Sequence, residues 1–116
     1  MKARQRQRIE ASRQRLADLG YANYRAYLQG DHWADVRKRF WASKLPKTCS
    51  GCGASRGLHL HHRTYKRIGA EWLTDLILVC GDCHSRIHKF EHETGAHPWG
   101  ATKGILRRRR KEMRSG

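Results

Sequence analysis

The 116-residue chain reads as a small α+β domain built round a zinc site, with helices ahead of that site and a basic tail behind it. Three observations predict this. Two Cys-x-x-Cys pairs, Cys49 with Cys52 and Cys80 with Cys83, stand 27 residues apart. The stretch between them holds two short strand-like segments. Apolar residues recur at helical spacing before Cys49 and after Cys80. The expected units are a basic helical extension over residues 1–46 that packs on the core, a zinc module over 47–93, and the basic tail over 94–116.

The first helix is expected over residues 4–19, where Ile9, Leu16 and Leu19 form a narrow stripe and Gly20 is a stop. Residues 21–28 suit a short second helix. Asp31 suits the cap of a third, in which Trp33, Val36, Phe40 and Trp41 recur at helical spacing and are expected to pack on the zinc module. Pro46 ends the helical region. Cys49-Ser50-Gly51-Cys52-Gly53 carries the glycines that a tight metal knuckle needs. Residues 58–62 alternate as a strand does, residues 63–74 read as a loop, and Leu76-Ile77-Leu78-Val79 reads as a second strand. Asp82 suits the cap of a helix through His84, Ile87 and His88. Beyond Gly95, Pro98, Gly100 and Gly104 read as a loop, and Arg107 to Arg110 as a solvated run.

An apolar fraction of 38% against 30% charged residues leaves a thin core. A bound metal offsets this, because its binding free energy is also folding free energy. No apolar run is long enough for a membrane helix, and no secretory leader pattern opens the chain. A cytoplasmic, reducing setting is expected, where paired cysteines bind metal rather than each other. The formal net charge is +15, from 25 Lys and Arg against 10 Asp and Glu. Four thiolates with one Zn²⁺ lower it by two, to about +13. Such a charge, clustered at both ends and around residues 63–67, points to a polyanion partner, nucleic acid first. No helix has a broad apolar face for a membrane surface.

Four cysteines fill the tetrahedral shell of a structural zinc ion and leave no thiol for nucleophilic catalysis. Eight histidines remain. His84 and His88, four apart on a helix, share one face. His61 and His62 end the first strand, so a helix docked on the hairpin brings His61 and His84 within range of one ion. Imidazole ligands leave room for water and a phosphate oxygen, and a free imidazole, with a pKa of about 6.5, suits a general base. His59 reads as structural, with replacement of His61 as ligand as the alternative. His32, His92 and His97 read as surface residues.

Cys49-x-x-Cys52, then Leu58-His59-Leu60-His61-His62-Arg63-Thr64-Tyr65, then Asp75-Leu76-Ile77-Leu78-Val79-Cys80-x-x-Cys83-His84, then His88, together resemble an HNH endonuclease of the ββα-metal type. The likeness is to the small, stand-alone, zinc-stabilised kind found in bacteriophages and bacteria, and spans about a third of the chain. It implies His61 and His84 as ligands of a catalytic divalent ion and His62 as the general base. It implies His88 as a phosphate contact or a further ligand. Asp75 stands where the family usually has Asn, a residue that steadies the base across the loop. Asp accepts but does not donate as the amide does, so it is expected to orient His62 as an acceptor. Period-two alternation points His59 and His61 to one strand face and His62 to the other. The strand is therefore expected to bend or end by His62.

These expectations add up to a metal-dependent DNA endonuclease, with Zn²⁺ for architecture and Mg²⁺, or Mn²⁺, Co²⁺ or Ni²⁺, for hydrolysis. Arg63, Lys66 and Arg67, beside the site, are the first candidates for gripping phosphates. Two other readings stand beside it. One is a non-catalytic nucleic-acid-binding zinc module. The other is a nuclease dependent on a protein partner, as in phage genome packaging or intron homing.

Overall fold

A computed structural model describes residues 2–115. Helices α1 (Ala3–Asp18), α2 (Tyr24–Leu28) and α3 (Asp31–Ala42) precede a hairpin of β1 (Leu58–His62) and β2 (Leu76–Cys80); α4 (Gly81–Thr94) and α5 (Pro98–Ser115) follow. Among the described residues no helix is long and apolar enough to cross a membrane.

Local chemistry sets these boundaries. Gly20, at φ +92°, ends the first helical segment. Asn23 rather than Tyr21 starts α2, because its side chain accepts the Ala26 N–H at 2.8 Å. Gly30 holds the cap position of α3, and Asp31 sits in the first turn instead of capping it. At α4 the cap is Cys80, whose Sγ accepts the Cys83 N–H at 3.4 Å, and Asp82 falls in the first turn, where its charge suits the helix N-terminus.

The two strands pair antiparallel, with Leu60 opposite Leu78 and His62 opposite Leu76. Their pleat divides the core in two. Leu76 and Leu78 join Leu16, Tyr27, Trp33, Val36, Phe40 and Ile68 under the N-terminal helices. Val79 joins Cys49, Cys83, Ile87, Ala101 and Leu106 under α4 and α5. Trp41, expected in the first core, is 47% exposed, one position past the α3 stripe that ends at Phe40.

The largest departure from expectation lies after Gly95. Residues 98–104, read as a loop, open an 18-residue helix, and the arginine run lies within it rather than in a tail, with Arg107, Arg108 and Arg110 exposed and Arg109 half-buried. Pro98 occupies the start of a helix, where its missing N–H costs nothing. Gly100 and Gly104 are tolerated because Ala101, Thr102 and Leu106 are buried and α5 packs on α4.

Candidate metal centre

The knuckle, the end of β2 and the first turn of α4 bring Cys49, Cys52, Cys80 and Cys83 together, with sulfur atoms all within 4.8 Å of one another. None of the four is in a disulfide. The cluster could hold a metal such as zinc, and its chemistry fits one. Burial pushes the Cys49 thiol up, but backbone hydrogen bonds from Cys52, Cys80 and Gly51 outweigh this and bring it to about 6. Gly51 has to be glycine, since a Cβ there would stand 2.9 Å from the Cys83 sulfur. Arg109 of α5 lies over the same knuckle and is held by Glu112 at 2.8 Å and Asp82 at 3.5 Å.

A second cluster lies on the same side of the hairpin. His61 from β1 and His84 and His88 from α4 also offer ligand atoms within 4.8 Å of one another. His61 is buried, His84 half-buried and His88 exposed, so the centre opens on one side. Burial, then the nearby His84 and His88, hold the His61 imidazole down to about 2; burial and His88 hold His84 to about 4. Both rings are therefore neutral near pH 7 and offer lone pairs.

Each imidazole has a polar neighbour on its other side. His84 Nε2 meets His88 Nε2 at 2.8 Å, while His84 Nδ1 meets His59 Nδ1 at 3.0 Å. His88 Nδ1 faces Glu91 Oε2 at 3.8 Å. His61 Nε2 meets Thr102 Oγ1 at 2.9 Å, which leaves Nδ1 as its free nitrogen. Partners of this kind fix the tautomer and ring orientation of a metal-binding histidine. His59 thus touches a ring of the cluster without belonging to it, and His88 belongs to it.

His62 is elsewhere. The strand does not bend before it: β1 runs regularly through His62, paired with Leu76. Its side chain therefore points to the N-terminal helices and has no exposed surface. It is stacked on Trp33 (centroids 4.8 Å apart) and on Tyr65 (5.3 Å). Its Nδ1 meets the Tyr24 hydroxyl at 2.9 Å and its Nε2 meets Glu71 Oε2 at 2.8 Å. Both nitrogens are taken, on the face opposite His61, so His62 does not stand at the second cluster, where the expected general base would act.

Asp75 is corrected too. Its carboxylate is taken by Arg67, with Nε at 2.8 Å, and by the Trp72 N–H at 3.0 Å; the carboxylate that meets His62 is Glu71. Asp75 still steadies the loop, since its carbonyl accepts the Arg63 N–H at 2.8 Å. Glu71 also receives the Tyr27 hydroxyl, the Gly69 N–H at 3.0 Å and His32 Nε2 at 3.1 Å. His32, half-buried, is therefore part of this network. Burial pushes the Glu71 carboxyl up, but hydrogen bonds from His62, Tyr27 and His32 prevail and hold it to about 2. Of the expected phosphate contacts, Lys66 is exposed. Arg63 and Arg67 are engaged internally, Arg63 donating to the Thr74 carbonyl and Arg67 to Asp75.

Sequence reasoning missed Glu71, Thr102 and Glu91. Glu71 had one signal: besides Asp75, it is the only acidic residue between His62 and β2. Thr102 lay in a segment read as loop. No protein family, no curated protein and no solved structure matches this chain.

Proposed function

We propose that the chain is a metal-dependent DNA endonuclease of HNH type that hydrolyses phosphodiester bonds with an ion held by His61, His84 and His88. The observation that carries this reading is the second ligand cluster, in which each ring has a polar neighbour behind it. A purely structural zinc module has no use for it. The net charge of +15 supplies the attraction for a polyanionic substrate, and makes binding fall steeply with salt.

Three nitrogen donors with no carboxylate favour Mn²⁺, Co²⁺, Ni²⁺ or Zn²⁺ over Mg²⁺, which prefers oxygen. Such an ion supplies the positive charge that acidifies water and that the pentavalent phosphorus and the departing oxygen require. His61, His84 and His88 would hold it, with Thr102, His59 and Glu91 as the polar neighbours that orient their rings. The water's proton would pass to solvent on the open, His88 side of the centre rather than to His62, which is buried.

Plasmid nicking across Mn²⁺, Co²⁺, Ni²⁺ and Mg²⁺ tests the proposal. Wild type should cut best with the transition ions. His84→Ala should stay folded and zinc-loaded but inactive. Failure of wild type with every ion would leave a nucleic-acid-binding module, and cutting by His84→Ala would remove the histidine centre from the reaction.

A further inference from the structure

The two arginines expected to grip phosphate do something else. The Arg63 guanidinium lies 4.3 Å from the centroid of the Trp99 ring, and that of Arg67 lies 3.8 Å from the Trp72 ring. Both cations are pinned across one loop. Arg63 donates to the Thr74 carbonyl, and Arg67 pairs with the Asp75 carboxylate. Each indole thus meets, on one side, a guanidinium that is itself hydrogen-bonded to the loop. Yet the two tryptophans remain 43% and 61% exposed. The anchors are half-buried, while a large part of each indole stays open to solvent.

Their position adds to this. Arg63 directly follows the β1 strand that carries His61. Trp99 lies three residues before Thr102 on α5, one helical turn away and on the same face, and Thr102 touches His61. The Arg63–Trp99 stack is thus tied to the histidine centre through β1 and through the helical turn that carries Thr102, and Arg67 and Trp72 lie on the loop that follows Arg63 in the chain.

We infer that these two stacks form a binding site for unpaired nucleobases, so that the substrate is nucleic acid with a single-stranded or locally opened segment at the metal centre. A pinned indole offers a flat π face to any base, and stacking of this kind is indifferent to sequence. Bases inside a duplex present no free face. The surrounding positive charge draws in the phosphate backbone of either form, and the indoles choose between them. The statement about substrate rests on the proposed nuclease; the statement about binding does not.

The test uses the full, zinc-loaded chain with no other divalent ion added. It is titrated into labelled oligothymidylate and into a duplex of equal length. Replacing both indoles (Trp72→Ala with Trp99→Ala) should weaken single-strand binding about tenfold or more. Duplex binding, the salt slope and thermal unfolding should stay as in wild type. Trp72→Phe with Trp99→Phe should recover most of the loss, since a benzene ring still stacks. Equal losses on single strand and duplex, or no loss on either, would overturn the inference. Plasmid nicking is scored separately. Tryptophan-dependent single-strand binding without cutting keeps this site and removes the nuclease reading. Cutting with tryptophan-independent binding does the reverse.

Discussion

His61 and His62 are chemically identical neighbours with opposite employment. One faces α4 and α5, where two further imidazoles lie within ligand range of it. The other faces α2 and α3, where Glu71, Tyr24, Trp33 and Tyr65 enclose it. The pleat of a regular strand makes that division, and the helices on each side complete it. Identity of side chain thus says little about role here; the face of β1 says nearly everything. On the α4 side histidine could offer a lone pair to a metal ion, and on the α2 side it is packed and hydrogen-bonded in an aromatic core.

The sharpest challenge to this division acts on both faces at once. Cys83→Ser breaks the thiolate cluster and removes much of the roughly 10–16 kcal/mol by which such a site supports folding. Loss of zinc by metal analysis, together with loss of cooperative unfolding, is the expected outcome. His62→Ala comes next. It empties space between Trp33 and Tyr65 and leaves buried Glu71 short of a partner, so urea unfolding should report a loss of about 3–5 kcal/mol.

Glu71→Gln probes the same face more gently. The folded carboxyl titrates at about 2 against an ordinary 4.5, so its ionised form is the one the fold favours. That contribution is complete above pH 4.5 and is lost as pH falls from there through 2. The variant should be less stable near neutrality by about 1–3 kcal/mol. Its deficit relative to wild type should shrink as acid is added. The mildest test is on the other face. Thr102→Val removes the partner of His61 Nε2 and should weaken binding of the exchangeable ion about 10–100-fold, with stability little changed, as a titration with Mn²⁺ would measure.

Much of this architecture was legible in residue spacing. Both Cys-x-x-Cys pairs, the two strands and the register of His84 with His88 follow from local pattern. The alternation of Leu58 to His62 even announced that His61 and His62 diverge, and the expectation of a bend set that signal aside in favour of the resemblance. What stayed hidden depended on distant partners. Glu71 meets His62 only once the loop folds under α2. Helix α5 looked like loop because Pro98, Gly100 and Gly104 break helices in isolation, yet packing of Ala101, Thr102 and Leu106 on α4 outweighs the propensity of two glycines. With α5 unseen, Thr102 had no place beside His61 and Trp99 none beside Arg63.

The central claim is that His61, and not His62, helps to hold an exchangeable ion. Mn²⁺ binding to the zinc-loaded chain, followed by electron paramagnetic resonance, addresses it directly in His61→Ala and in His62→Gln, the latter keeping hydrogen-bonding groups for Glu71 and Tyr24. Wild type and folded His62→Gln should each bind one such ion per chain, and His61→Ala should bind none. An ion retained in His61→Ala, or lost from folded His62→Gln, would contradict the account.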